Sequence, residues 1–239
     1  MSELRSFWPF YGGKWRLAPK YPAPLFGTIV EPFAGAAGYA LRYADRGVVL
    51  VERDPIIAAL WRYLIRVTPA EVRALPLVVE DDVRSLPVAE EAQNLIAWWL
   101  NKGTERPMRS PSKWVRSGLR PKSSWGPEVR ERIASQVESI RHWHIVEGDY
   151  TAAPMLKATW FVDPPYANRA GERYRMSSRE IDFARLGEWC RERRGQVIVC
   201  ENVGATWLPF EEFVPFYGAR GAKRPDRRAE AIWLGGVDG

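Results

Sequence analysis

Thr28-Ile29-Val30-Glu31-Pro32-Phe33-Ala34-Gly35-Ala36-Ala37-Gly38 runs directly into Tyr39-Ala40-Leu41-Arg42-Tyr43. The order reads as a short buried strand, a glycine-rich turn and then a helix. Glycines at such a turn let a ligand approach the backbone, and the start of a helix favours a negative group. The spacing Gly35-x-x-Gly38 is shorter than the dinucleotide fingerprint G-x-G-x-x-G, which points away from a nicotinamide cofactor. A second apolar run, Val48-Val49-Leu50-Val51, ends in Glu52, an acid placed to accept hydrogen bonds from ribose hydroxyls. Taken alone, Glu52 reads better as a solvated loop acid.

Working outward, strands are expected over 28–33, 47–52, 143–147, 159–163, 196–201, 212–217 and 229–234. Helices are expected near 36–46, 55–66, 91–101, 127–140 and 180–194. This alternation predicts an α/β fold with a parallel-rich sheet covered on both faces. The last two strands, with a charged loop between them, read as an antiparallel hairpin. Pro69 and Pro76 interrupt a helical patch. Residues 80–142 break the alternation and read as a small inserted helical and loop module, which leaves 1–79 and 143–239 as the main domain.

The chemistry concentrates in Asp163-Pro164-Pro165-Tyr166, after the apolar run Thr159-Trp160-Phe161-Val162. Such an ending puts a carboxylate and a free backbone carbonyl at the carboxyl edge of a strand, because the prolines fix φ and have no N–H to donate. The tyrosine adds a flat face. Two acceptors and a ring can hold an exocyclic amino group and stack on its base. A proline-rich turn with Asp as turn former is the plainer reading of the four residues in isolation.

Together these stretches resemble the DNA adenine-N6 methyltransferases of the D12 (Dam-like) class. Tyr11-Gly12-Gly13-Lys14 resembles that family's Y-x-G-G-K element. Glu31-Pro32-Phe33-Ala34-Gly35 with Gly38 is similar to its cofactor loop, and Glu147-Gly148-Asp149-Tyr150 to its G-D-F/Y step. Asp163 to Tyr166 matches D-P-P-Y. Arg228-Ala229-Glu230-Ala231-Ile232-Trp233 resembles the strand that closes the family's sheet. The motifs fall in the family's order and span almost the whole chain except 80–142.

The resemblance implies a Rossmann-like methyltransferase sheet and S-adenosylmethionine as cofactor. It implies cofactor contacts from Tyr11, Lys14, Glu31, Phe33, Gly35, Gly38, Glu52, Asp149 and Tyr150, with Lys14 near the cofactor's carboxylate and Asp149 on its adenine amino group. It implies catalysis by Asp163, Pro164, Pro165 and Tyr166 on an adenine taken out of the duplex. It also implies transfer of a methyl group to N6 in double-stranded DNA, as in DNA methylation and restriction-modification, by a cytoplasmic protein expected to be a monomer. No metal is expected. Residues 80–142 occupy the place of the target-recognition region, but the segment is short and departs from the family's pattern. Methylation of adenine in RNA, methylation of cytosine N4 and a catalytically silent DNA-binding relative stay open as alternatives.

Composition fits this picture. The chain has 239 residues, a formal net charge of +6, 46% hydrophobic and 27% charged residues, which is ordinary for a globular protein with a sizeable core. There is no apolar run of about 18 residues, so no membrane span is expected. Cys190 and Cys200 read as reduced core thiols of a cytosolic protein. The basic surplus is local. Lys102, Arg106, Arg109, Lys113, Arg116, Arg120 and Lys122 face only Glu105 in the same stretch, which also holds Trp114 and Trp125. Basic, turn-rich and aromatic, this stretch suits a nucleic-acid surface. Arg109, Lys113, Trp114, Arg116, Arg120 and Lys122 are the candidate contacts there. Lys223 and Arg224 are added from a second cluster that also holds Arg220, Arg227 and Arg228.

Three further features need a reading. Trp98-Trp99 follows Leu95-Ile96-Ala97 and is expected to pack into the core with at least one of the pair. His142 and His144 share one side of a strand, as two metal ligands could, but they have no third ligand and read as hydrogen-bonded or partly exposed histidines. Tyr174, behind Arg169 and Arg173, is either a cover for the base or part of a mobile surface loop.

Overall fold

The computed structural model describes residues 4–101, 104–117, 123–214 and 230–236. Seven strands make one sheet: β1 (Thr28–Glu31), β2 (Gly47–Glu52), β3 (His144–Glu147), β4 (Ala158–Val162), β5 (Gly195–Asn202), β6 (Glu211–Val214) and β7 (Glu230–Gly236). Their order is β3-β2-β1-β4-β5-β7-β6. The first five lie parallel, and β7 runs antiparallel between β5 and β6. This is the α/β sheet of Rossmann-like methyltransferases, with the two C-terminal strands antiparallel as the sequence predicts.

Alternate residues on the strands feed two cores, as a period of two requires. Ile29, Leu50, Phe161, Ile198 and Cys200 face one side; Val30, Val51, Trp160, Val162, Val197 and Val199 face the other. All five residues of β4 are buried, as a central strand covered on both faces must be. Each such aliphatic side chain contributes about 2 kcal/mol of transfer free energy.

On the first face lie α1 (Pro55–Arg66), α2 (Pro69–Ala74), α3 (Glu90–Trp99), a short α4 (Lys113–Arg116) following in sequence, and α5 (Pro127–Gln136). Ile57, Leu60, Trp61 and Leu64 give α1 its apolar stripe, at the spacing that keeps one helix face inward. The second face is covered by α6 (Phe183–Arg191) through Leu186, Trp189 and Cys190.

The helical patch is interrupted as expected: α1 ends at Arg66 and Pro69 opens α2. Thr68 caps this second helix, its side chain accepting from the Glu71 N–H while Glu71 reaches back to the Thr68 N–H. Proline is tolerated at the first helical position because that N–H would be unpaired anyway. One expectation is corrected: the segment after the glycine-rich turn is not a helix over 36–46. Gly35 and Ala37 both have positive φ, +44° and +48°, so the chain turns until Tyr39 and only a 3-10 turn forms over Ala40–Tyr43. The helices of residues 80–142 pack into the core of the main sheet. Leu95, Ile96, Trp98 and Trp99 of α3, and Val129 and Ile133 of α5, share one core with Phe7, Trp8 and α1. Both tryptophans of the pair are buried, and Trp99 Nε1 donates to the Phe7 carbonyl at 2.9 Å. Among the described residues no helix is long and apolar enough to cross a membrane.

A candidate active site at the carboxyl edge of the sheet

The chain leaves β1 for β2 on one side, and after β3 it returns to β4 on the other side of β1. Loops after β1 and β4 therefore diverge, and an open α/β sheet has its crevice where they do. A cavity of about 1070 Å³ opens there. Its lining includes Tyr11, Lys14, Glu31, Phe33, Gly35, Gly38, Glu52, Asp149, Tyr150, Asp163, Pro164, Pro165 and Tyr166. Every catalytic and cofactor residue expected from the sequence thus meets in one cavity.

The half of the cavity under the β1 loop is held by carboxylates. Glu31, at the end of β1, is buried and accepts the Ala40 N–H at 2.6 Å. Burial pushes it up to about 8 despite that bond. Glu52, at the end of β2, takes the Gly35 N–H on one oxygen and the Asp54 N–H on the other, each at 2.8 Å. Burial pushes Glu52 up to about 7. Each Glu52 oxygen keeps a second lone pair for a ligand hydroxyl. Asp149 caps a turn: the Thr151 N–H donates to Oδ1 at 2.8 Å, and so does the Thr151 hydroxyl. That hydroxyl holds Asp149 below the ordinary aspartate value, and Oδ2 stays open to a donor. Tyr150 stacks on Phe33 with ring centres 5.6 Å apart, which makes an apolar wall suited to an aromatic ring. The donor set fits a nucleoside-containing cofactor: acceptors for hydroxyls and an amino group, beside an aromatic wall.

The two glycines also serve packing. A Cβ on Gly38 would stand 2.5 Å from the Trp15 nitrogen, and one on Gly35 would stand 3.0 Å from the Phe10 ring. Their bareness lets the N-terminal segment close onto the β1 loop.

The other half surrounds Asp163. Lys14, expected near a cofactor carboxylate, stands against Asp163, Nζ to Oδ1 2.8 Å, with Glu230 Oε1 at 3.8 Å and the Tyr166 ring centre at 4.7 Å. Apart from that ion pair, Asp163 Oδ1 has no hydrogen-bond donor. Burial pushes Asp163 up to about 6, with Lys14 opposing the rise and Glu230 adding to it. Burial also works against the Lys14 ammonium, but Asp163 and Glu230 outweigh it and keep the lysine charged. The Tyr166 hydroxyl donates to Glu230 of β7. Among the described residues the Pro164 carbonyl accepts no hydrogen bond.

Behind this pair lies a support that the sequence reading did not single out. Glu201, fully buried on β5, accepts from the Ala167 N–H and from Trp207 Nε1, each at 3.0 Å. It fixes the backbone just past Tyr166. Its signal was the same as that of Glu52: an acid at the carboxyl end of an apolar run. Asp54, 4% exposed, caps α1 and pairs with Arg175 at 2.8 Å; the Asp-Pro step before α1 announced the cap. Tyr174 is half-buried at the cavity rim. Its hydroxyl donates to the Tyr11 carbonyl at 3.0 Å, and its ring meets those of Phe10 and Tyr11.

Of the expected nucleic-acid residues, the structure describes the side chains of Arg109, Lys113 and Arg116. Lys113 and Arg116 are exposed on α4. Arg109 is exposed but ion-paired with Asp82. Trp125 is not a surface aromatic: it is buried and its Nε1 donates to the Pro76 carbonyl at 2.7 Å. Arg120, Lys122, Lys223 and Arg224, and the side chain of Trp114, lie outside the described residues. His142 Nε2 donates to the Arg46 carbonyl at 2.9 Å. Among the described residues no cluster of three metal-ligating side chains forms.

In comparisons with known proteins, no protein-family model and no curated protein matches this chain.

Proposed function

We propose that this protein is an S-adenosylmethionine-dependent methyltransferase acting on N6 of an adenine flipped out of DNA. One observation carries the reading: Asp163, the unpaired Pro164 carbonyl and Tyr166 share a cavity with the β1 loop, Glu52 and Asp149. A base-holding trio and a nucleoside-holding trio thus face the same space.

Glu52 offers lone pairs to ribose hydroxyls, Asp149 offers Oδ2 to an adenine amino group, and Phe33 with Tyr150 borders that ring. When bound, S-adenosylmethionine supplies an electrophilic methyl carbon on a sulfonium and leaves as the neutral thioether. Tyr166 supplies a stacking face for the substrate base. Asp163 and the Pro164 carbonyl accept the two N6 hydrogens, which turns the nitrogen lone pair toward the incoming carbon. With the cofactor held there, the nitrogen would take its methyl carbon as the C–S electron pair leaves with the thioether, and the surplus amino proton would pass along its hydrogen bond to the Asp163 carboxylate. Asp163 carries compensating negative charge while the nitrogen becomes positive. Most of the rate comes from holding the two partners in line, a source worth several kcal/mol.

The test is transfer of labelled methyl from S-adenosylmethionine to unmethylated duplex DNA, with nucleoside analysis of the product. N6-methyladenine from the wild type, and none from Asp163→Ala or Asp163→Asn, is the expected result. Transfer to RNA alone would move the reading to an RNA enzyme, and neither transfer nor cofactor binding would end it.

A further inference from the structure

A second, smaller cleft of about 360 Å³ lies beside the cavity, and every group lining it is charged: Glu105, Arg106, Arg173 and Arg175. We propose that this cleft holds a backbone phosphate of the strand that carries the target base. The proposal rests on the function proposed above and adds to it a site for the nucleic-acid backbone.

Three guanidinium groups against one carboxylate give the cleft a surplus of two positive charges. The arginines come from distant parts of the chain and are brought together by the same backbone. Phe10 bridges to Thr104, and the Tyr11 N–H donates to the Thr104 carbonyl at 3.3 Å. The Tyr11 carbonyl in turn accepts from the Tyr174 hydroxyl at 3.0 Å. Arg106 is thereby fixed on one side of Tyr11, and Arg173 and Arg175 on the other. The Arg173 guanidinium lies 5.9 Å from the Tyr11 ring centre.

Two of the three cations lack a tight partner. Arg106 has no acidic partner among the described residues, and Arg173 is 3.8 Å from Glu105, too far for a hydrogen bond. Arg175 is held by Asp54. A fork of guanidinium donors suits phosphate oxygens, which take paired N–H bonds. The position fits as well. Glu105 and Arg175 line both the cleft and the large cavity, so the cleft sits at the rim. A nucleotide whose base enters the cavity leaves its phosphates at that rim. Neither Arg106 nor Arg173 lines the large cavity; Arg173 meets the Tyr11 ring from outside it, so cofactor affinity of the variant is measured alongside.

The experiment is the salt dependence of binding of a fluorescent adenine-containing duplex to wild type and to Arg106→Ala/Arg173→Ala, repeated with a neutral methylphosphonate at each phosphate flanking the adenine. Both side chains are exposed, so the variant keeps its fold, which circular dichroism checks. The double variant is expected to bind about tenfold more weakly and to lose about one unit of log–log salt slope. One neutral flanking phosphate is expected to weaken wild type by a similar factor and to leave the variant unaffected. Glu105→Gln is expected to tighten binding, because it removes the only negative charge in the cleft. An unchanged slope in the double variant, or an equal methylphosphonate penalty in both proteins, overturns the proposal. So does inorganic phosphate that binds wild type but not the variant and yet, at matched ionic strength, leaves the duplex bound to wild type, since the cleft would then be a site for the free anion. Methyl transfer by wild type is measured on the same duplex. Its absence counts against the methyltransferase reading, while the binding data still decide whether the cleft holds a phosphate.

Discussion

Lys14 Nζ lies 2.8 Å from Asp163 Oδ1, so the acid of the Asp-Pro-Pro-Tyr turn is neutralised by a lysine from the N-terminal segment. Asp163 can offset positive charge on the amino nitrogen and take its proton only when ionised, and burial raises it to about 6. Methyl transfer is therefore expected to fall as pH drops through about 6, along a one-proton limb. Lys14 is the group that restrains the rise. In Lys14→Met the limb moves to higher pH, while cofactor affinity, measured by calorimetry, changes little. A large loss of cofactor affinity with an unmoved limb would instead return Lys14 to the cofactor carboxylate.

Glu230 is the second group on this acid, and its effect has the opposite sign. Its charge adds to the rise of Asp163, and its carboxylate accepts from the Tyr166 hydroxyl. Glu230→Gln keeps an acceptor for Tyr166 but removes the charge, so the acid limb moves to lower pH. Glu230→Ala leaves the tyrosine hydroxyl without its partner. It is expected to cost about 1–3 kcal/mol, or roughly ten- to hundredfold in kcat/KM. Steady-state kinetics across pH separates the two variants.

All seven strands could be read from the chain because each is an apolar run with its own punctuation. The acids at their carboxyl ends, Glu31, Glu52 and Asp163, marked the edge where the cavity opens. What could not be read depends on long-range contacts. Nothing local distinguishes a buried Trp125 from an exposed one; its burial follows from the Pro76 carbonyl that receives its N–H. The pairing of Lys14 with Asp163 likewise needs the N-terminal segment to lie against β4. One local signal was misread: the glycine-rich turn was taken to open a helix over 36–46, but positive φ at Gly35 and Ala37 keeps the chain turning until Tyr39.

That close approach gives a stability test. A Cβ at Gly38 would stand 2.5 Å from the Trp15 nitrogen and 2.9 Å from the Lys14 carbonyl carbon, both backbone atoms that cannot swing aside. Gly38→Ala is expected to destabilise the fold by about 1–3 kcal/mol, seen as a Tm lower by roughly 2–10 °C. It should also weaken activity, because it displaces Lys14. At Gly27 a Cβ would meet nothing within 4 Å. Gly27→Ala is the control and should stay within about 0.5 kcal/mol of wild type. Equal effects at the two glycines would remove the argument for close packing at Gly38.

Glu31 and Glu52 tie stability to pH. Burial holds them near 8 and 7 in the folded protein, above the 4.5 of an ordinary glutamate. Between those values the folded state binds protons that the unfolded chain has released. The stabilisation from this binding is complete below about 4.5 and is lost as pH rises through 7 to 8. The expected outcome is a Tm clearly higher near pH 5.5 than near pH 8.5. Glu31→Gln retains a carbonyl to accept the Ala40 N–H and cannot ionise, so its Tm should vary less with pH and exceed that of wild type at the alkaline end. Thermal unfolding of wild type, Glu31→Gln and Glu52→Gln across this range decides it. A wild-type Tm that rises with pH would mean that Glu31 and Glu52 fold as ordinary ionised carboxylates. The hydrogen bonds from Ala40, Gly35 and Asp54 would then outweigh their burial.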